Sequence, residues 1–162
     1  MSRLDSFIRR LEAQRACLNA AAEMSRRLDG VVLELGLGNG RTYDHLRSIC
    51  PDREIFVFDR QVAAHPDCVP DPGHLFLGDF ATTLPQALAR LGAKAAMVHV
   101  DLGSGDKAAS EALARLIAPK VRALMRTGAA LVSDQEMTES GFRALSLPAG
   151  VKPGRYHMSE AV

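Results

Sequence analysis

The segment Gly36-Leu37-Gly38-Asn39-Gly40 places three glycines in five positions, directly after the apolar run VVLELG (31–36) and directly before a helical pattern. Glycine there lets the backbone turn tightly and approach a ligand, and the N-terminus of the following helix offers free N–H groups. Single acidic residues follow three further apolar runs: Asp59, Asp79 with Phe80 beside it, and Asp101. Each taken alone reads as a tight turn or a helix cap. Four such signals in register after successive strands read as one ligand site, because open α/β sheets bind ligands beyond the carboxyl ends of their strands, where the winding direction switches. His99 stands two positions before Asp101 inside an apolar run and reads as a core histidine with a hydrogen-bond partner. His45, His65, His74 and His157 read as surface or loop residues.

The elements that must carry these residues alternate. Leu4, Phe7, Ile8, Leu11, Leu18, Ala21, Ala22 and Leu28 mark a helix over 3–28, weakened in its middle by Gln14 and Arg15, with a capping box at Ser2 and Asp5 and a stop at Gly30. Strands are predicted at 31–36, 54–58, 74–77, 95–100 and 129–133, and helices at 41–49, 83–91 and 106–126. Thr82 or Thr83 would cap the helix over 83–91 with Pro85 in its first turn, and Pro119 would kink or split the last helix. Residues 61–73, with Pro66, Pro70, Pro72 and Gly73, read as a loop. Segments 142–147 and 156–161 alternate as two antiparallel strands. The expected fold class is α/β: an open, mostly parallel sheet with helices on both faces and a C-terminal antiparallel hairpin, preceded by a long N-terminal helix. Residues 1–162 read as one domain, divided into the N-terminal helix (1–29), a binding core (30–134) and the terminal hairpin (135–162).

Bulk properties narrow the function classes. Lys plus Arg number 20 against 19 Asp plus Glu, so no global field draws the chain to nucleic acid. With no Trp, base-stacking platforms are scarce. No apolar run spans a bilayer, and the N-terminus lacks the apolar stretch of a secretory signal. Cys17, Cys50 and Cys68 have no close-spaced partner, which suits reduced thiols in the cytoplasm.

VLELGLGNG (32–40) resembles the first motif of class I S-adenosylmethionine-dependent methyltransferases. Asp59, LGDF (77–80) and VHVDLG (98–103) are similar to that family's later segments, in the same order. The resemblance implies a Rossmann-like fold, S-adenosyl-L-methionine as cofactor, S-adenosyl-L-homocysteine as product, and a set of roles. Gly36, Gly38 and Gly40 would approach the methionyl and ribosyl portion, Glu34 would orient that loop, and Asn39 would help on the amino-carboxylate side. Asp59 would accept the ribose hydroxyls, Asp79 the adenine amino hydrogens, and Phe80 would cover the ring. Asp101 would stand near the reacting methyl as the first catalytic candidate. A nicotinamide-binding domain fits less well, because its third motif glycine would fall on Arg41 or Tyr43.

Asp101 with Asp134 and Gln135 resembles the metal-binding arrangement of catechol-type O-methyltransferases. Gln stands where that group usually has Asn, and LGSGDK does not match, so Asp134 and Gln135 read as polar loop residues and no metal is expected. The signature of amino-methylating enzymes, Asn or Asp with two prolines and an aromatic, is absent after Asp101. The expected acceptor is therefore a small molecule, with no membrane partner and no nucleic acid; the alternative reading is a non-catalytic module that binds S-adenosylmethionine or S-adenosylhomocysteine. Arg9, Arg10, Arg15, Arg26 and Arg27 read as a solvated face. Leu4, Phe7, Ile8 and Leu11 would be the contact of a homo-oligomer.

Overall fold

A computed structural model describes residues 1–162. Its elements run α1 (Arg3–Ser25), β1 (Val31–Leu35), α2 (Arg41–Ile49), β2 (Ile55–Asp59), β3 (Leu75–Leu77), α3 (Phe80–Leu91), β4 (Ala95–Val100), α4 (Lys107–Leu124), β5 (Met125–Ser133), β6 (Phe142–Ala144) and β7 (His157–Ala161), with two short 3-10 turns before β3. The seven strands form one sheet in the order β3-β2-β1-β4-β5-β7-β6. The first five are parallel, and β7 joins β5 and β6 antiparallel. From β1 the chain winds outward through β2 to β3, then returns to the other side of β1 as β4. The switch point therefore lies between β1 and β4.

Strand residues alternate between two cores, as the period of two requires. Leu33, Leu35, Phe56, Phe58, Val98 and Val100 face α3 and α4. Val32, Val57, Met97, Ala130 and Val132 face α1 and α2. On that second face β1 and β4 also place Glu34 and His99 opposite each other in the parallel register. No helix is long and apolar enough to cross a membrane.

Several element boundaries differ from the sequence expectation. The Ser2–Asp5 capping box is present, but α1 stops at Ser25 rather than near Gly30. The Arg53 guanidinium donates to the carbonyls of Ser25, Leu28 and Gly30 at 2.6–2.8 Å and closes the helix end. Only the second half of the apolar stripe is buried, while Leu4, Phe7 and Ile8 remain exposed. The third helix starts at Phe80, with Asp79 rather than a threonine at its N-cap, so Pro85 lies past the first turn. Segment 142–147 is a strand only to Ala144, although the Leu145 amide still bonds the Met158 carbonyl. The fifth strand begins at Met125, directly after α4, and is longer than expected.

Pro119 neither splits α4 nor ends it. It sits on the exposed stripe with Ala112, Arg115 and Leu116, where water can satisfy the carbonyl left without an N–H partner. Restoring that donor has a direct consequence. Pro119→Ala is expected to stabilise the protein by up to about 3 kcal/mol, read as a higher urea midpoint at unchanged slope.

Candidate active site

The carboxyl ends of β1, β2, β3 and β4 open onto a cleft of about 990 Å³, roofed on one side by α1 and bounded on the other by α4. The glycine loop forms its floor. Gly36, Gly38 and Gly40 all have positive φ (94°, 51° and 84°). A Cβ on Gly36 would stand 2.4 Å from the Asp101 carbonyl oxygen, and one on Gly40 would stand 2.5 Å from the Cys68 Cβ. Those two glycines are required by packing within the protein. A Cβ on Gly38 would meet nothing within 4 Å, and this residue faces the cleft.

Asp59, at the end of β2, clamps the loop from beside it. One carboxylate oxygen accepts from the Leu37 and Gly38 amides at 2.8 and 3.2 Å, the other from the Arg60 and Gln61 amides at 2.6 and 3.3 Å. Four main-chain donors thus occupy the four lone-pair positions of this carboxylate. The Asn39 side chain accepts from the Arg41 amide at 3.2 Å and is engaged at the start of α2.

Behind the loop runs a buried polar chain. Glu34 has no solvent exposure; it accepts from the Thr42 hydroxyl and pairs with His99 Nδ1 at 2.7 Å. His99, also fully buried, faces the Tyr156 hydroxyl through Nε2 at 3.5 Å. Gln14 of α1 donates to that hydroxyl and, at 3.1 Å, to Asp101. Thr42 and Asp101 line the cleft, so the chain connects two of its walls through the protein interior. Burial disfavours a charged His99, but the Glu34 charge and hydrogen bond, helped by Asp101 and Asp134, outweigh it and raise the imidazole above its ordinary pKa. Burial above all raises the Tyr156 phenol.

Two ion pairs flank the cleft. Arg10 of α1 bonds Asp101 at 3.0 Å, and Arg60 bonds Asp79 at 2.8 Å. Phe80 is half core and half cleft wall. Asp134 lies near Asp101, accepting from the Leu102 amide at 2.9 Å and from the Gln135 side chain at 3.2 Å. No group of three or more His, Cys, Asp or Glu side chains stands in a metal-holding arrangement.

The structure therefore brings Gly36, Gly38, Asn39, Asp59, Asp79, Phe80 and Asp101 to one cleft, while Glu34 stays beneath it and Gly40 packs on Cys68. Arg10, Gln14, Thr42 and Arg60 join them in the cleft, none of them read as a site residue from the sequence, and Tyr156 lies beneath, beside His99. Arg10 is not on a solvated face as expected, since its guanidinium is turned onto Asp101. Gln14 does not weaken α1; it is a buried residue of the site. Their spacing of four, one helical turn, was the available signal.

Residues 1–160 match the model of a family described as S-adenosyl-L-methionine methyltransferase. A search of curated proteins gave no match. Among solved structures, the chain is similar to an S-adenosyl-L-methionine methyl transferase from Silicibacter pomeroyi DSS-3, at 46% identity and a TM-score of 0.95 over 100% of this chain and 99% of that one. The antibiotic-resistance methyltransferase Kmr shares the fold at 15% identity and a TM-score of 0.57, over 91% and 93% of the two chains. TrmN from Thermus thermophilus does so at 14% identity and 0.61, over 90% of this chain and 48% of that one.

The electrostatics of the site also carry a pH signature. Burial raises the Asp134 carboxyl above its ordinary value and the nearby Asp101 charge adds to this, against the bonds from Leu102 and Gln135 and the charge of Arg10. The folded protein therefore binds this proton at higher pH than the unfolded chain, and stability falls as pH rises from the unfolded value through the folded one. Asp134→Asn keeps the Leu102 acceptor without the charge. In melts between pH 3 and 8 it is expected to unfold at higher temperature than the parent at pH 7 and at nearly the same temperature at pH 3. A variant less stable at pH 7 would contradict this assignment.

Proposed function

The chain belongs to the S-adenosyl-L-methionine methyltransferase family, and from that premise we propose that it transfers the donor's methyl group to a small-molecule acceptor held in the cleft between α1 and α4. The observation that carries the site is the open approach at Gly38, on the floor of a cleft at the switch point of the sheet. The residues fit the donor. It has hydroxyls for Asp59, amino hydrogens for Asp79 and an aromatic face for Phe80. Asp59 would take the ribose hydroxyls in place of its two longest bonds, those from Gly38 and Gln61, and keep the two from Leu37 and Arg60. Asp79 would exchange Arg60 for the adenine amino group. The main chain at Gly36 and Gly38 would lie along the methionyl portion, with Glu34 holding α2 and the loop in place through Thr42.

The donor brings an electrophilic methyl group on a sulfonium whose departure leaves a neutral thioether. What the protein must supply is alignment, and fixed orientation can account for much of the rate. Asp101 stands at the acceptor end, held by Gln14 and the Gly103 amide as well as by Arg10. It acts in this reading as an orienting carboxylate, and as a base only toward an acceptor that arrives protonated.

A small acceptor is supported by the wall beyond the donor's place, where Phe7 and Leu11 of α1 face Leu102, Leu113 and Leu116. A cavity of about 990 Å³ is at the upper end for one ligand. The formal net charge of +1 supports the same choice over a polyanion. Exposed Leu4, Phe7 and Ile8 flank this wall, and a second copy of the chain would cover them. Sedimentation at micromolar concentration should then show a dimer, and a monomer would remove that part of the proposal. We place the protein in a reducing compartment, in keeping with three free cysteines.

Incubation with methyl-labelled donor and a cell extract, followed by separation of small molecules, RNA and protein, tests the acceptor class. Label is expected in the small-molecule fraction. Gly38→Ala should fold, at a cost of about 1–2 kcal/mol for its left-handed backbone, and lose the transfer. Label in RNA or protein would contradict the proposed acceptor.

A further inference from the structure

A second cavity, of about 730 Å³, lies at the β6 edge of the sheet and shares no lining residue with the cleft described above. The C-terminal segment builds it alone, from the stretch after β5, the edge strand β6, the loop that follows, and the start of β7. Met137, Tyr156 and Met158 are buried in its wall, while Phe142, Leu147 and Val151 are half-buried there. No strand lies beyond β6, so these apolar groups stay partly in water unless something covers them. The volume falls within the roughly 300–1,000 Å³ of small-molecule sites.

We propose that this cavity binds a small organic cation, an ammonium carried on an apolar body. Charge complementarity selects that occupant. Glu136 and Glu139 line the cavity, and neither is paired with a cation of the protein. Glu139 accepts from the Ser140 amide and hydroxyl through one oxygen, Oε1, which leaves the other for a ligand. The lysine and arginines of the same segment are placed elsewhere. Arg143 pairs with Glu160, Arg155 bonds Ser6 of α1, and Lys152 does not line the cavity. Apolar walls beside two unpaired carboxylates suit an amine, disfavour a carboxylate and give a neutral alcohol only the walls.

Two further features point the same way. The Phe142 ring adds a π surface, which attracts a cation and not an anion. A peptide strand, the other common occupant of a sheet edge, fits poorly. β6 spans only Phe142–Ala144, and its Phe142 amide is already bonded to the Glu139 carbonyl, so few main-chain groups are left to pair. Tyr156 links this cavity to the first one: it lines the second cavity, and its hydroxyl accepts from Gln14, which lines the cleft and holds Asp101. The assignment stands on the second cavity alone and does not depend on the donor site.

The test uses three probes that share one apolar body and differ in charge: phenylbutylammonium, phenylbutanol and phenylbutanoate. Each is titrated into the full chain while the methionine methyl signals of isotope-labelled protein are followed. Met137 and Met158 line the cavity, and Met97, buried in the middle of the sheet, serves as the internal reference. Phenylbutylammonium is expected to shift Met137 and Met158 but not Met97. It should bind about 3- to 30-fold tighter than phenylbutanol, with phenylbutanoate weakest. Glu136→Gln with Glu139→Gln keeps the acceptor for Ser140 and should fold; it should bring the cation within about twofold of the alcohol. Saturating S-adenosylhomocysteine should leave the Met137 and Met158 shifts in place. No shift at these two methyls, equal binding of the three probes, a preference that survives in the double variant, or displacement by S-adenosylhomocysteine would each overturn the proposal.

Discussion

A carboxylate and an imidazole with no exposure to solvent lie opposite each other on β1 and β4, and the cleft above them depends on their pairing. Burying a lone Glu34 would be expensive, and so would burying a charged His99. Together, with Thr42 on one side and Tyr156 on the other, every polar atom is satisfied. Removing one member of such a pair typically costs about 3–5 kcal/mol, a large share of the ~5–15 kcal/mol that holds a domain folded. The pair also fixes position. Thr42 ties it to the helix that follows the glycine loop, Tyr156 to the C-terminal strands, and Gln14 to α1 and Asp101. Four parts of the chain distant in sequence are referred to one point inside the sheet.

The polar groups of the cleft are held by one another. Asp101 has Arg10, Asp79 has Arg60, and Asp59 has four main-chain amides. None of these carboxylates has to be found by the ligand in a random orientation, so part of the ordering cost of binding is met during folding. The contacts at the mouth are also weak enough to exchange, being partly exposed to water. Rigid support below and exchangeable pairs above are the physical basis of the proposed donor site.

Much of the fold could be read from short apolar runs, each ended by a glycine or an aspartate. The five parallel strands and the switch point need only period and punctuation, and these are local. Boundaries set by distant partners could not be read this way. The stop of α1 is made by Arg53, 28 positions beyond Ser25. Pro119 sits inside α4 because its neighbours on that stripe face water, a fact of packing that the bare residue does not carry. At the site, the glycine loop, Asp59, Asp79 and Asp101 were legible because each follows its own strand. Arg10 and Gln14 were not, because an arginine and a glutamine on an amphipathic helix look like surface until the helix is seen crossing the end of β4. His99 read as core from its apolar neighbours, while its partner Glu34 could be identified only once the register of β1 on β4 was known.

The most direct test of the central claim is a crystal structure of this chain grown with S-adenosylhomocysteine. The account predicts the ligand along the ends of β3, β2, β1 and β4, with adenine beside Asp79 and Phe80, ribose on Asp59, and the methionyl portion along the main chain of Gly36 and Gly38. A ligand seated elsewhere on the molecule, or lying in the cleft in the reverse direction, would contradict it.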